Sequence, residues 1–201
     1  MKKFFLLTAV FLLLGACARL PVAPVLSPEA LERQWAAHRA ALGTLKRWTL
    51  QGRVGIQTDK DGWNASLRWR QAEDAYSLRL MAPLGQGTFE LEGNSGGVVM
   101  RTPENQTLIA ASPESLMQQN LGWSLPLTGL HYWIRGIPDP GNPVQALQLD
   151  NQGRMAELEQ SGWQISVLSY DRTSGMDLPT KLFMHSPQLK VKLVVDTWET
   201  S

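Results

Sequence analysis

The sequence predicts a mainly β fold, an unclosed antiparallel half-barrel of about eleven strands with a lid of short α-helices over an apolar cavity. Three observations carry this expectation. From Trp48 onward apolar and polar residues alternate with a period of two. Turn signals such as Asp59-Lys60-Asp61-Gly62 and Asn94-Ser95-Gly96-Gly97 separate the alternating runs. Three stretches break the alternation with helical character, two of them opened by a Ser-Pro pair.

The first element precedes the fold. Lys2 and Lys3 followed by the apolar run Phe4 to Leu14 have the form of an export signal, too short to span a bilayer, which takes roughly 20 residues. Leu14-Gly15-Ala16-Cys17 closes the run with the only cysteine of the chain. This is the arrangement of a bacterial lipoprotein signal, cut before a cysteine whose thiol is acylated. Ala18, rather than Asp, follows the cysteine, which by the sorting rule for such signals directs the protein to the outer membrane. Residues 1–16 are therefore read as signal peptide, 17–27 as lipidated N-terminus and tether, and 28–201 as one domain.

Ser27 and Pro28 start a first helix over about 28–42, with Leu31, Trp35 and Leu42 on one face and His38 on the wet one. Strands follow in order. Trp48, Leu50, Val54 and Ile56 share one face, then Trp63, Ala65, Leu67 and Trp69, then Tyr76, Leu78 and Leu80, then Phe89 and Leu91. Residues 98–101 and 107–110 continue the series. Ser112-Pro113-Glu114 opens a second helix to about Asn120, and Leu130 to Ile134 form a third, ended by Gly136. Strands resume at 147–149, 155–158, 163–167, 182–184 and 189–195. A sheet this wide curls. Alternation does not reveal which face is outward, but runs of five to eight residues are shorter than the roughly ten of a transmembrane barrel, and the helices need an apolar surface to cover.

Composition removes several classes of function. Of 19 Lys and Arg, two leave with residues 1–16, so 17 stand against 18 Asp and Glu, without the basic excess of a nucleic-acid binder. One cysteine supports neither a disulfide framework nor a cysteine-based zinc site. No phosphate-binding glycine loop, nucleophile elbow or metal-binding spacing occurs, and His38, His131 and His185 lie far apart without partners in sequence. The expectation is a monomer with no catalytic residues, metal or cofactor. Arg53, Arg68, Arg70 and Arg79 fall on outward positions, either solvated or facing an acidic partner.

Two features remain. All 8 tryptophans lie after residue 17, spread over nearly every segment, as core or as the wall of a cavity for something apolar. Trp35, Trp48, Trp63, Trp69, Tyr76, Leu78, Phe89, Leu91, Trp123, Trp133 and Trp163 are the residues expected to line it. The turn Ala82-Pro83-Leu84-Gly85-Gln86-Gly87 places Leu84 at its tip, where a polar residue is the rule; Leu84 either folds back on the sheet or enters a membrane.

The lipoprotein signal with Cys17, the Trp48-Thr49-Leu50-Gln51-Gly52-Arg53-Val54 and Phe89-Glu90-Leu91-Glu92-Gly93 strands, the Ala82-Pro83-Leu84-Gly85 turn and the Leu125 to Gly136 segment together resemble the LolB family of outer-membrane lipoprotein receptors. The resemblance runs the length of the chain. It implies a cavity that accepts acyl chains of lipoproteins from a LolA-like periplasmic carrier, and a protruding loop, at Leu84 here, for release into the outer membrane. A structural or assembly lipoprotein that binds protein partners and has a solid core is the alternative.

Overall fold

The computed structural model describes residues 27–85 and 87–201. Cys17 and the signal and tether readings lie outside the described residues. Helix α1 (Pro28–Thr44) is followed by strands β1 (Arg47–Gln57), β2 (Gly62–Ala72), β3 (Ala75–Met81), β4 (Thr88–Asn94), β5 (Gly97–Arg101) and β6 (Thr107–Ala110). Helices α2 (Pro113–Leu121) and α3 (Leu127–Trp133) come next, then β7 (Val144–Leu149), β8 (Met155–Gln160), β9 (Trp163–Thr173), β10 (Met176–His185) and β11 (Lys190–Thr200). All eleven strands expected from the alternation are present.

Both Ser-Pro helix starts act as read. The Ser27 hydroxyl accepts a hydrogen bond from the Ala30 N–H, the Ser112 hydroxyl accepts one from Ser115, and Gly122 ends α2 in the left-handed conformation. α1 runs past the expected Leu42 to Thr44 and closes on Leu45 in an extended conformation.

The strands form a single sheet in the order β6-β5-β4-β3-β2-β1-β11-β10-β9-β8-β7, every neighbour antiparallel. Two meanders are thus joined by one pairing, β1 with β11. The edge strands β6 and β7 are short, and α2 and α3 carry the chain from one edge to the other across the apolar face. Inward side chains of both meanders and all three helices meet in one core.

Strand length departs from the expectation: β1, β2, β9 and β11 have 11 residues and β10 has 10. Length therefore does not separate this sheet from a transmembrane barrel. Face chemistry does, because the outward row carries exposed Arg53, Arg68, Arg70, Arg79, Lys190 and Lys192, which no lipid-facing surface tolerates. Arg53 pairs with Asp196 at 2.8 Å and Arg79 with Glu90 at 3.0 Å; as exposed pairs these contribute little to stability.

The β1–β11 seam has a bulge at Gln51/Gly52. A Cβ on Gly52 would stand 2.2 Å from the Val194 carbonyl oxygen, so only glycine lets the two backbones approach. At Gly55 a Cβ would meet only the movable Asn64 side chain, at 2.9 Å. Urea denaturation should therefore show Gly52→Ala losing about 1–3 kcal/mol, an overpacking cost. Gly55→Ala should stay within about 0.5 kcal/mol of the parent.

Candidate functional site

The apolar face of the sheet and the helical segment enclose a cavity with no polar surface. Val54, Ile56, Leu67, Trp69, Leu78, Leu80, Met184, Val191 and Leu193 supply its wall from five strands. Met117 of α2, Trp123 and Leu125 of the connector, and Leu127, Leu130 and Ile134 at α3 supply the other side. Its volume is only about 30 Å³, room for one water, whereas pockets for small molecules run to about 300–1,000 Å³. The sequence predicts a hollow between sheet and lid; the space found there is this small apolar cavity, bordered by lid side chains.

The cavity lies toward one end of the sheet. Ile56, Met184 and Val191 sit close to the β1–β2 and β10–β11 turns, and the β3–β4 turn that carries Leu84 is at the same end, because β3 runs parallel to β1 on the far side of β2. The opposite end is closed by rings. Trp48 packs at 5.4 Å against both Trp69 and Trp198, and His131 of α3 stacks on Trp48 at 5.9 Å.

Of the residues expected to line the cavity, Trp69, Leu78 and Trp123 do so. Trp48 belongs to the ring cluster just described. Trp133 lies beside Trp163 and donates its indole N–H to Gln160, 2.8 Å away. Trp35 is buried under α1, Leu91 is fully buried on β4, and Tyr76 and Phe89 are half-buried at the core margin. Trp63 packs on Trp123 without entering the wall, with ring centroids 5.7 Å apart. Most of the wall is aliphatic instead. The alternation marks it in the inward rows Val54-Ile56, Leu67, Leu80 and Val191-Leu193.

The parts of the lid are held differently. Arg135, just beyond α3, is 2 % exposed and faces no carboxylate among the described residues. Its Nη1 donates to the Leu42 and Leu45 carbonyls at 2.9 and 3.0 Å, its Nε donates to the His131 carbonyl at 3.0 Å, and its plane lies over the Tyr132 ring. The acceptors at Leu42 and Leu45 are the negative end of α1, which has no basic residue in its own last turn. Burial pulls the guanidinium down to about 10. Gln160, fully buried, holds the following loop by accepting from the Trp133 indole and the Asp139 N–H and donating to the Asp139 and Asn142 carbonyls. No α2 side chain hydrogen-bonds to the sheet among the described residues; α2 packs on β5 and β6 by apolar contact, and Glu114 accepts from the Leu127 N–H.

Leu84 stands out from the turn, 96 % exposed. Its backbone is left-handed (φ 57°, ψ 28°), a strained state for a branched side chain. The Ala82 N–H donates to the Gly87 carbonyl at 3.0 Å and closes the loop beneath it. Folding gains nothing from presenting this residue to water, and such strain gathers where function demands a shape. The alternative, a Leu84 folded back on the sheet, is excluded.

Among the described residues the three histidines sit in separate aromatic groups. His38, expected on the wet face of α1, is half-buried between Trp35 and Tyr170, since β9 lies across that face. Among the described residues there is no group of three or more His, Cys, Asp or Glu able to hold a metal.

The family described as outer membrane lipoprotein LolB matches residues 46–198. A protein of Nitrosococcus oceani called outer-membrane lipoprotein LolB is 42% identical over 86% of this chain and 87% of its own. One of the same description from Pseudomonas putida is 40% identical over 93% and 91%. Among solved structures, a LolA superfamily protein from Nitrosomonas europaea aligns with a TM-score of 0.51 at 7% identity, covering 88% of this chain and 94% of that one. A putative outer membrane lipoprotein-sorting protein domain from Vibrio parahaemolyticus aligns with 0.53 at 8% identity, covering 85% and 93%. At such identity these structures speak for the fold alone.

Acid should loosen the lid. Burial, with help from Arg135 and Lys46 and against Asp139, pushes His131 down to about 4 from an ordinary 6.5. The folded state therefore prefers the neutral ring. Its contribution is complete above pH 6.5 and is lost progressively as pH falls toward 4, by up to about 3 kcal/mol. His131→Phe keeps a ring against Trp48 and does not titrate. Urea unfolding at several pH values should show the parent losing more stability than His131→Phe across that window.

Proposed function

This chain belongs to the LolB family, and on that footing we propose that it is an outer-membrane-anchored receptor for lipoproteins. It takes lipoproteins from a LolA-like periplasmic carrier, holds their acyl chains between sheet and lid, and passes them to the inner leaflet of the outer membrane. Its own anchor is an acylated Cys17. The observation that carries the reading is a cavity wall with no polar surface, at the same end of the sheet as an exposed leucine.

Such a wall suits an acyl chain, which offers no hydrogen-bonding group to satisfy. Transfer on this reading involves no covalent chemistry and no hydrolysis, so affinity sets the direction. Burying one CH₂ contributes roughly 0.8 kcal/mol, and about 1.4 kcal/mol changes an equilibrium tenfold, so a few more buried methylenes at each step suffice. Leu84 contributes at the last step, by entering the bilayer.

The small volume of the cavity favours a second reading, an assembly lipoprotein with a solid core that binds proteins. Purified protein separates the two: uptake of radiolabelled lipoprotein from loaded carrier supports the receptor, and no uptake, together with no binding of a fluorescent fatty acid, supports the assembly role.

Leu84→Glu should leave folding and acceptance from the carrier unchanged, because the side chain touches nothing. Insertion into liposomes should fall about ten- to a hundredfold, the equivalent of losing one buried leucine. Equal loss of acceptance and insertion would remove Leu84 from the membrane step.

A further inference from the structure

The surroundings of the cavity differ between its two ends. Away from Leu84 the closure is the Trp48, Trp69, Trp198 and His131 cluster, and His131 belongs to the helix that Arg135 fastens through buried hydrogen bonds. Opening there would strip a buried guanidinium of its partners. At the Leu84 end stand two rings. Trp123 forms part of the cavity wall, and Trp63, partly buried against the core, packs on it, tilted at 49°.

Both rings are placed to move as a closure. Trp63 opens β2 beside the β1–β2 turn and pairs across the ladder with Ile56, itself in the cavity wall. Trp123 sits in the connector between Gly122, whose left-handed backbone has open space around it, and Pro126. The helix before it, α2, makes no side-chain hydrogen bond to the sheet among the described residues. Displacing Trp123 with α2 breaks apolar contacts and the single Glu114–Leu127 hydrogen bond to the start of α3, and leaves the Arg135 bonds of α3 in place.

We infer that Trp63 and Trp123 form the portal through which acyl chains enter and leave the cavity, on the membrane-facing side marked by Leu84. The inference rests on the receptor reading above. Trp123 is the moving leaf and Trp63 the fixed rim. A chain leaving between them emerges at the end of the sheet where Leu84 enters the bilayer, so release and insertion happen at one place.

The test uses the chain exported with Cys17→Ser, which has no acyl groups of its own and no native thiol, and follows a dansyl-labelled fatty acid by stopped-flow fluorescence. Trp123→Ala should raise both association and dissociation rates, by up to about tenfold, the rate equivalent of an aromatic pair contact, with the equilibrium constant changing less than either rate. Trp63→Ala should do the same, and the double variant should add little to the larger single effect. A ring that is only part of the wall gives the opposite pattern, faster dissociation at unchanged association, and that result would overturn the portal. As an independent arm, a reducible cross-link between cysteines in Trp63→Cys/Trp123→Cys should block uptake and release until it is cleaved; exchange at the parent rate while cross-linked counts against the portal. If the parent takes up no fatty acid, the receptor reading fails and the portal with it. Binding by the parent with unaltered kinetics in every variant removes the portal alone.

Discussion

The pairing of β1 with β11 is the contact on which the rest of the molecule depends. Every other strand pairing joins neighbours in sequence and can form as a local hairpin. This one brings Arg53 against Val194, and without it the chain is two separate meanders, each with an uncovered apolar face. The seam also runs through the cavity wall: Val54 and Ile56 come from one half, Val191 and Leu193 from the other. Gly52 sets how closely the halves approach. Folding must close the longest loop in the chain to make this pairing, a cost that the hairpins do not carry.

The lid follows from the sheet. Helices of nine and seven residues, such as α2 and α3, are not stable alone and exist because an apolar face receives them. What differs between them is polar fastening. Arg135 acts as the missing C-terminal cation of α1 and at the same time as the clasp of α3, so the first and third helices share one buried group. A cation held by backbone carbonyls leaves no carboxylate buried with it, which avoids the desolvation of a second charge. α2 and the Trp123 connector have no buried cation of this kind: one hydrogen bond, from the Leu127 N–H to Glu114, ties α2 to α3, and apolar contact docks it on the sheet.

Much of this was legible in the sequence because the sheet has one wet face. Period-two alternation marked all eleven strands, and Ser-Pro pairs marked two helix starts to the residue. Strand ends were under-read where the pattern loses contrast: β9 runs on through Ser169 to Thr173, all polar or half-exposed, and β10 begins before Pro179, where the register shifts and the missing N–H breaks the ladder. His38 was misplaced because a helical wheel contains no knowledge of Tyr170 on a strand far along the chain. The cavity wall was the hardest part. A buried indole N–H seeks a partner, and Trp69, Trp133 and Trp198 bond to Gln71, Gln160 and Pro179, while most of the cavity wall, with no polar group to offer, is left to aliphatic side chains.

A nearly filled cavity has a consequence for a protein that must give up what it holds. On the receptor reading, an entering acyl chain displaces lid side chains already buried against the sheet, so the apolar area gained is smaller than the area of the chain itself. The bilayer exacts no such displacement. On the receptor reading, the self-packing of Met117, Trp123, Leu125 and Leu130 therefore lowers the affinity for cargo and tilts the equilibrium toward the membrane. A larger, permanently open hollow would bind more tightly and deliver less. On that reading the closed lid is part of the driving force: each chain released lets the lid re-form contacts that the chain had taken, which favours delivery.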